Sequence, residues 1–150
     1  MWRLSVPWLF ISIITFTAAA NEIDEADSAL MRGEYGAAIK IFADRSEHGD
    51  PVAMVRLASL YHRGEGVERD VEKALDLYLS AAELGNAEAQ FNLGNMYLLG
   101  EGVAEDEAWA LTFYRLASKQ GHQLATANMR EIIRANTSAA SEPHEAEATQ

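Results

Sequence analysis

A stretch that reads GDPVAMVRLASLYHRGEGV from Gly49 to Val67 returns as GNAEAQFNLGNMYLLGEGV from Gly85 to Val103, an offset of 36 residues. At that offset Ala53 falls on Ala89, Leu57 on Leu93 and Tyr61 on Tyr97, and Gly64-Glu65-Gly66-Val67 falls on Gly100-Glu101-Gly102-Val103. The correspondence continues through Asp70 and Asp106, Ala74 and Ala110, Leu75 and Leu111, Tyr78 and Tyr114, Ala81 and Ala117, and Gly85 and Gly121. Self-similarity at a period of about 20–50 residues marks a chain of stacked supersecondary units. One such unit cannot bury its apolar face alone, so neighbours must supply the other half of the core.

The spacing inside the period names the unit. Ala53, Leu57 and Tyr61 recur four residues apart, as do Ala89, Leu93 and Tyr97, each set forming one stripe of an α-helix. Val71, Ala74, Leu75, Tyr78 and Ala82 form a stripe on a second helix. Between the stripes lie Gly-x-Gly turns, then Asp70 or Asp106 placed to cap the next helix. Small residues at Ala58 and Gly94 allow paired helices to approach closely. No segment alternates with a period of two, so the fold class is all-α, an α-solenoid of helix–loop–helix repeats. Helices are expected over 22–32, 35–48, 51–63, 71–84, 87–99, 107–120 and 122–135. They make three repeats (22–48, 51–84 and 87–120) and a C-terminal capping helix over 122–135.

These residues resemble the Sel-like repeat family of the tetratricopeptide-like superfamily. Its pattern, Ala-x-x-x-Leu-Gly-x-x-Tyr-x-x-Gly-x-Gly-Val followed by Asp and Lys-Ala-x-x-x-Tyr, is met nearly throughout 53–85, with Ala58 in place of the Gly. Residues 89–121 keep Leu93-Gly94 but carry Trp109 in place of the Lys. Upstream, Gly33-Glu34-Tyr35, Ala38 and Phe42 hold the same phase with a shorter turn, and Ala125, Met129 and Ile133 repeat the first-helix stripe once more.

The ends of the chain read differently. Arg3, an apolar run from Leu4 to Phe16, and Ala18-Ala19-Ala20 have the layout of a secretory signal peptide over 1–20, with cleavage before Asn21. The apolar run is shorter than the ~20 residues that span a bilayer, which weighs against a retained anchor. The domain then covers 21–135, and 136–150, lacking large apolar residues, is expected to be a disordered acidic tail. The expected location is secreted or periplasmic, with no membrane contact after cleavage.

Composition removes several functions. A net charge of −11 opposes binding to nucleic acid, whose phosphates require clustered Lys and Arg. With no Cys there is no disulfide, thiol nucleophile or thiolate metal site. His48, His62, His122 and His144 show no ligand spacing, and no nucleophile elbow or phosphate loop is present. Glu105, Asp106 and Glu107 stand together where acids favour a helix start. No catalytic residue, metal site or cofactor is expected, and the chain is not expected to be an enzyme.

What remains is recognition. The resemblance implies an adaptor that assembles protein complexes and holds a peptide or protein on the first helices of its repeats. The residues matching that lining are Val55, Ser59 and His62, then Phe91, Asn95 and Leu98. Of these, Phe91 is expected as apolar anchor and Asn95 as a clamp on a peptide backbone. No Lys or Arg occurs between Lys73 and Arg115, an interval holding seven acidic residues, which suits a basic partner segment. Trp109, Phe113 and Leu116 form a further stripe, expected either to pack on the last helix or to stand exposed as a contact patch. The alternatives are a regulator or inhibitor of one envelope enzyme, or a cell-wall-related enzyme like some cysteine-rich members of the family. The absence of Cys weakens the last.

Overall fold

The computed structural model describes residues 21–141, with side-chain environments through 138. Seven helices and no strand occur among the described residues: α1 over 21–31, α2 (Tyr35–Glu47), α3 (Pro51–Arg63), α4 (Val71–Glu83), α5 (Ala87–Leu99), α6 (Glu107–Lys119) and α7 (Gln123–Ser141). The expected signal peptide lies outside the described residues.

Helices α3 to α7 each start where a side chain satisfies a free N–H group of the first turn, whereas Glu34 ahead of α2 makes no side-chain cap. Asp50 accepts from Val52 N and Ala53 N ahead of α3, with Pro51 at the first helical position. Asp70 accepts from Lys73 N at 2.9 Å, Asn86 from Ala89 N at 2.9 Å, and Asp106 from Trp109 N at 3.0 Å. The first helix of each repeat closes on a left-handed glycine, Gly64 with φ 69° and Gly100 with φ 67°. The connecting loops are then pinned identically. Asp70 N donates to the Tyr61 carbonyl at 2.9 Å, and Asp106 N donates to the Tyr97 carbonyl at 2.8 Å.

The chain divides after Ala81 into two compact units. In the first, α2 packs on α3, and Ile23, Ala26, Ala29, Phe42, Leu57 and Leu60 are among the buried core residues. Gly66 lies so close to Tyr35 that any Cβ there would overlap the tyrosine side chain. In the second, α6 packs against both α5 and α7 around Ala110, Tyr114, Ala117, Ala125 and Ile132.

One boundary moves. The last helix runs to Ser141 rather than ending at 135. Asn136 Nδ2 donates to Glu107 Oε1 of α6 at 2.6 Å, and Thr137 Oγ1 donates back to the Ile133 carbonyl at 2.8 Å. Alanines at 135, 139 and 140 favour continued helix. The part of the expected tail beyond 141 lies outside the described residues.

Candidate partner-binding surface

The six residues expected to line a groove have different environments. Val55 on α3 is only 5% exposed, so its side chain is not available to a partner, and that part of the expectation is corrected. The isopropyl group sits on a face that the fold itself covers. Ser59 and His62, on the same helix, are half-buried.

On α5, Phe91, Asn95 and Leu98 come together, because spacings of four and three residues place them on one face. Phe91 and Leu98 pack partly against the α6–α7 core. The Phe91 ring stacks on His122 at 4.5 Å and lies 6.0 Å from the Tyr114 ring. One side of the expected anchor is thus already covered. Asn95 Oδ1 accepts a 2.7 Å hydrogen bond from the Tyr114 hydroxyl, which also accepts from Asn128 Nδ2 at 3.4 Å. That leaves the Asn95 Nδ2 donor as the group suited to a peptide carbonyl.

His122, next to Gly121, shows no ligand spacing in the sequence. Here its side chain joins α5 and α7. Ala125 N donates to Nδ1 at 3.2 Å, capping α7, which places the ring proton on Nε2. Nε2 in turn donates to Glu88 Oε2 of α5 at 3.1 Å.

The stripe of Trp109, Phe113 and Leu116 does not pack on α7 in the way one of its two readings allowed. Trp109 is 52% exposed and Leu116 is 41% exposed. Trp109 and Phe113 meet Tyr97 of α5 instead, with centroid separations of 6.0 Å and 5.5 Å, and lie 5.9 Å from each other. Three rings form an open triangle on the α5–α6 face. At the matching place in the first unit there is no such triangle. Lys73 Nζ lies 4.3 Å from the Tyr61 ring centroid and donates to the Tyr61 hydroxyl at 2.8 Å.

The polar groups of the first unit serve the fold. An open depression of about 810 Å³ is lined by residues that include Tyr61, Arg69 and Asp70. Yet Asp70 caps α4, and Arg69 Nε donates to the His62 carbonyl at 2.9 Å. Among the described residues no three His, Asp or Glu side chains are grouped to hold a metal ion, and no helix is long and apolar enough to cross a membrane.

This geometry of capped helical hairpins closed by paired left-handed glycines defines a tetratricopeptide-like repeat protein. Residues 51–86 and 87–122 match the family described as Sel1 repeat, and the chain carries two Sel1 repeats in tandem. It is similar to a Sel1 repeat protein from Oxalobacter formigenes, at 34% identity and a TM-score of 0.68, over 71% of this chain and 44% of that one. It is also similar to a protective antigen of uropathogenic Escherichia coli with an SLR fold, at 28% identity and a TM-score of 0.65, over 71% of this chain and 24% of that one. The chain therefore spans less than half the length of either protein. Cysteine-rich protein B of Helicobacter pylori shares the fold at 19% identity and a TM-score of 0.59, over 73% of this chain and 93% of that one. None of the curated proteins matches the chain. The fold is thus the expected α-solenoid class, and Sel1 repeats generally mediate contacts between proteins.

Proposed function

We propose that this chain is an exported protein-interaction module, a scaffold rather than an enzyme, that holds a protein or peptide partner carrying a basic segment. The observation carrying this reading is the α5 face of the second Sel1 repeat. There Phe91 and Leu98 leave apolar edges half-open on either side of the Asn95 amide. Apolar edges supply contact area, and a fixed amide donor supplies register along an extended backbone. The interval from 74 to 114, free of Lys and Arg, adds long-range attraction for a basic segment. The leader-like residues 1–20 support a periplasmic or secreted location.

The test uses the full chain as bait, identifies a captured partner, and titrates the purified partner into wild type and into the double variant Asn95→Ala/Leu98→Ser. Affinity should fall about tenfold or more, since central interface residues carry over ~1 kcal/mol each. Equal affinity for the two proteins would remove this face from the reading. Terminal sequencing of the exported protein should find Asn21 first, and an intact Met1 would reject the cleaved leader.

A further inference from the structure

The two repeats build the same loop and then place different chemistry on it. In each, the amide of the capping aspartate donates to the carbonyl of a tyrosine in the last turn of the first helix, Asp70 to Tyr61 and Asp106 to Tyr97. The aspartate side chain then caps the N–H three residues further on, at Lys73 in one repeat and Trp109 in the other. The backbone thus delivers position 73 or 109 to the ring of its own tyrosine. In the first repeat that position brings a cation, with Lys73 Nζ 4.3 Å from the Tyr61 centroid. In the second it brings an indole, and Tyr97 faces Trp109 and Phe113, with no cation over its ring among the described residues.

The surroundings remain those of a cation site. Glu101, Glu105, Asp106 and Glu107 occupy the loop and first turn that carry Trp109, and the next basic residue, Arg115, is six positions on from Trp109. Six residues are 600° of helical turn, which places Arg115 well away from the Trp109–Phe113 stripe. Aromatic faces attract cations through their quadrupole, Trp most strongly, and adjacent carboxylates add to that attraction. A guanidinium is planar and weakly hydrated, so it stacks on such faces better than an ammonium does.

We infer that the Tyr97–Trp109–Phe113 triangle is a docking platform for an arginine side chain from a basic segment of a protein partner. The incoming cation takes up the role that Lys73 plays within the first repeat. This rests on the interaction reading above but uses a different face: the platform holds a side chain, whereas the Phe91–Asn95–Leu98 face holds a backbone.

The test needs Trp109 as the sole tryptophan. Trp2→Phe and Trp8→Phe in the full chain achieve that, since the sequence has three. The probe is a capped peptide of five Gly-Arg units, with citrulline and lysine analogues. The arginine peptide should change Trp109 emission saturably. The neutral citrulline analogue should bind at least fivefold more weakly and the lysine analogue at an intermediate strength. In Trp109→Lys, which rebuilds the arrangement of the first repeat, binding followed by the Tyr97 and Phe113 ring resonances should weaken tenfold or more, with helix content kept by circular dichroism. Equal binding of arginine and citrulline peptides overturns the platform. So does undiminished binding to Trp109→Lys; if affinity then falls in Asn95→Ala/Leu98→Ser, the interaction reading survives alone. A wild type that binds none of the peptides also overturns the platform, and partner capture then decides the wider reading separately.

Discussion

Gly94 on α5 lies flat against the ring of Tyr114 on α6, so that a Cβ at Gly94 would sit 2.5 Å from Tyr114 Cδ1 and Cε1. Tyr114 is fully buried, and the ring has no open space to move into. Gly94→Ala should therefore destabilise the protein by about 1–3 kcal/mol, the cost of overpacking, despite the better helix propensity of Ala. Urea unfolding monitored by circular dichroism measures this. Ala58, at the same place in the first repeat, is fully buried as Ala, so the cost at Gly94 comes from how closely the Tyr114 ring approaches α5.

Burial pushes the Tyr114 hydroxyl above the ordinary tyrosine value of 10.0, partly offset by the hydrogen bond from Asn128. The neutral phenol is favoured by folding. Its contribution is fully present below the unfolded value near 10.0 and declines as pH rises through the higher folded value. Between pH 9 and 11 the urea midpoint of wild type should fall more steeply than that of Tyr114→Phe. Parallel curves would assign the alkaline loss to other groups.

Leu93 is fully buried, and Leu93→Ala should cost roughly 2–5 kcal/mol. An unchanged melting curve would refute the stripe assignment of α5.

His122 caps α7 through Nδ1 and stacks on Phe91. His122→Ala should cost about 1 kcal/mol or more, and His122→Asn should recover most of the capping part, because an amide oxygen accepts the same N–H. Thermal unfolding of the three proteins separates the two contributions. Phe91→Ala, by the same stacking, should lower stability as well as partner affinity; a loss of affinity alone would mean that the ring is free of the core.

The helices from 35 to 119 were legible to within a residue at each end, because Asp, Asn, Pro and Gly fix the termini locally, whatever the chain packs against. Asp70 and Asp106 were identifiable as caps for the same reason. What each exposed stripe touches was not legible. Periodicity put Trp109 and Phe113 on one face of α6, but whether that face met α7 or α5 depends on how the hairpin closes. The 36-residue offset held the missing signal: Tyr97 is the partner of Trp109 because Tyr61 is the partner of Lys73. Phe91 was misleading in another way. Its covering residue, His122, lies 31 positions on and looked like an ordinary turn residue. The extension of α7 to Ser141 is accompanied by the Asn136–Glu107 hydrogen bond, a contact between residues with no apolar signature.

The pinned loop has an evolutionary consequence. Because the hydrogen bond from the Asp amide to the Tyr carbonyl and the left-handed glycine close each hairpin through the backbone, position 73 or 109 can change its side chain without any adjustment of the turn that presents it. After duplication, one copy can keep a self-contained lysine while the other drifts to an aromatic, and neither copy refolds. New ligand chemistry thus arises by single-codon steps on an inherited frame.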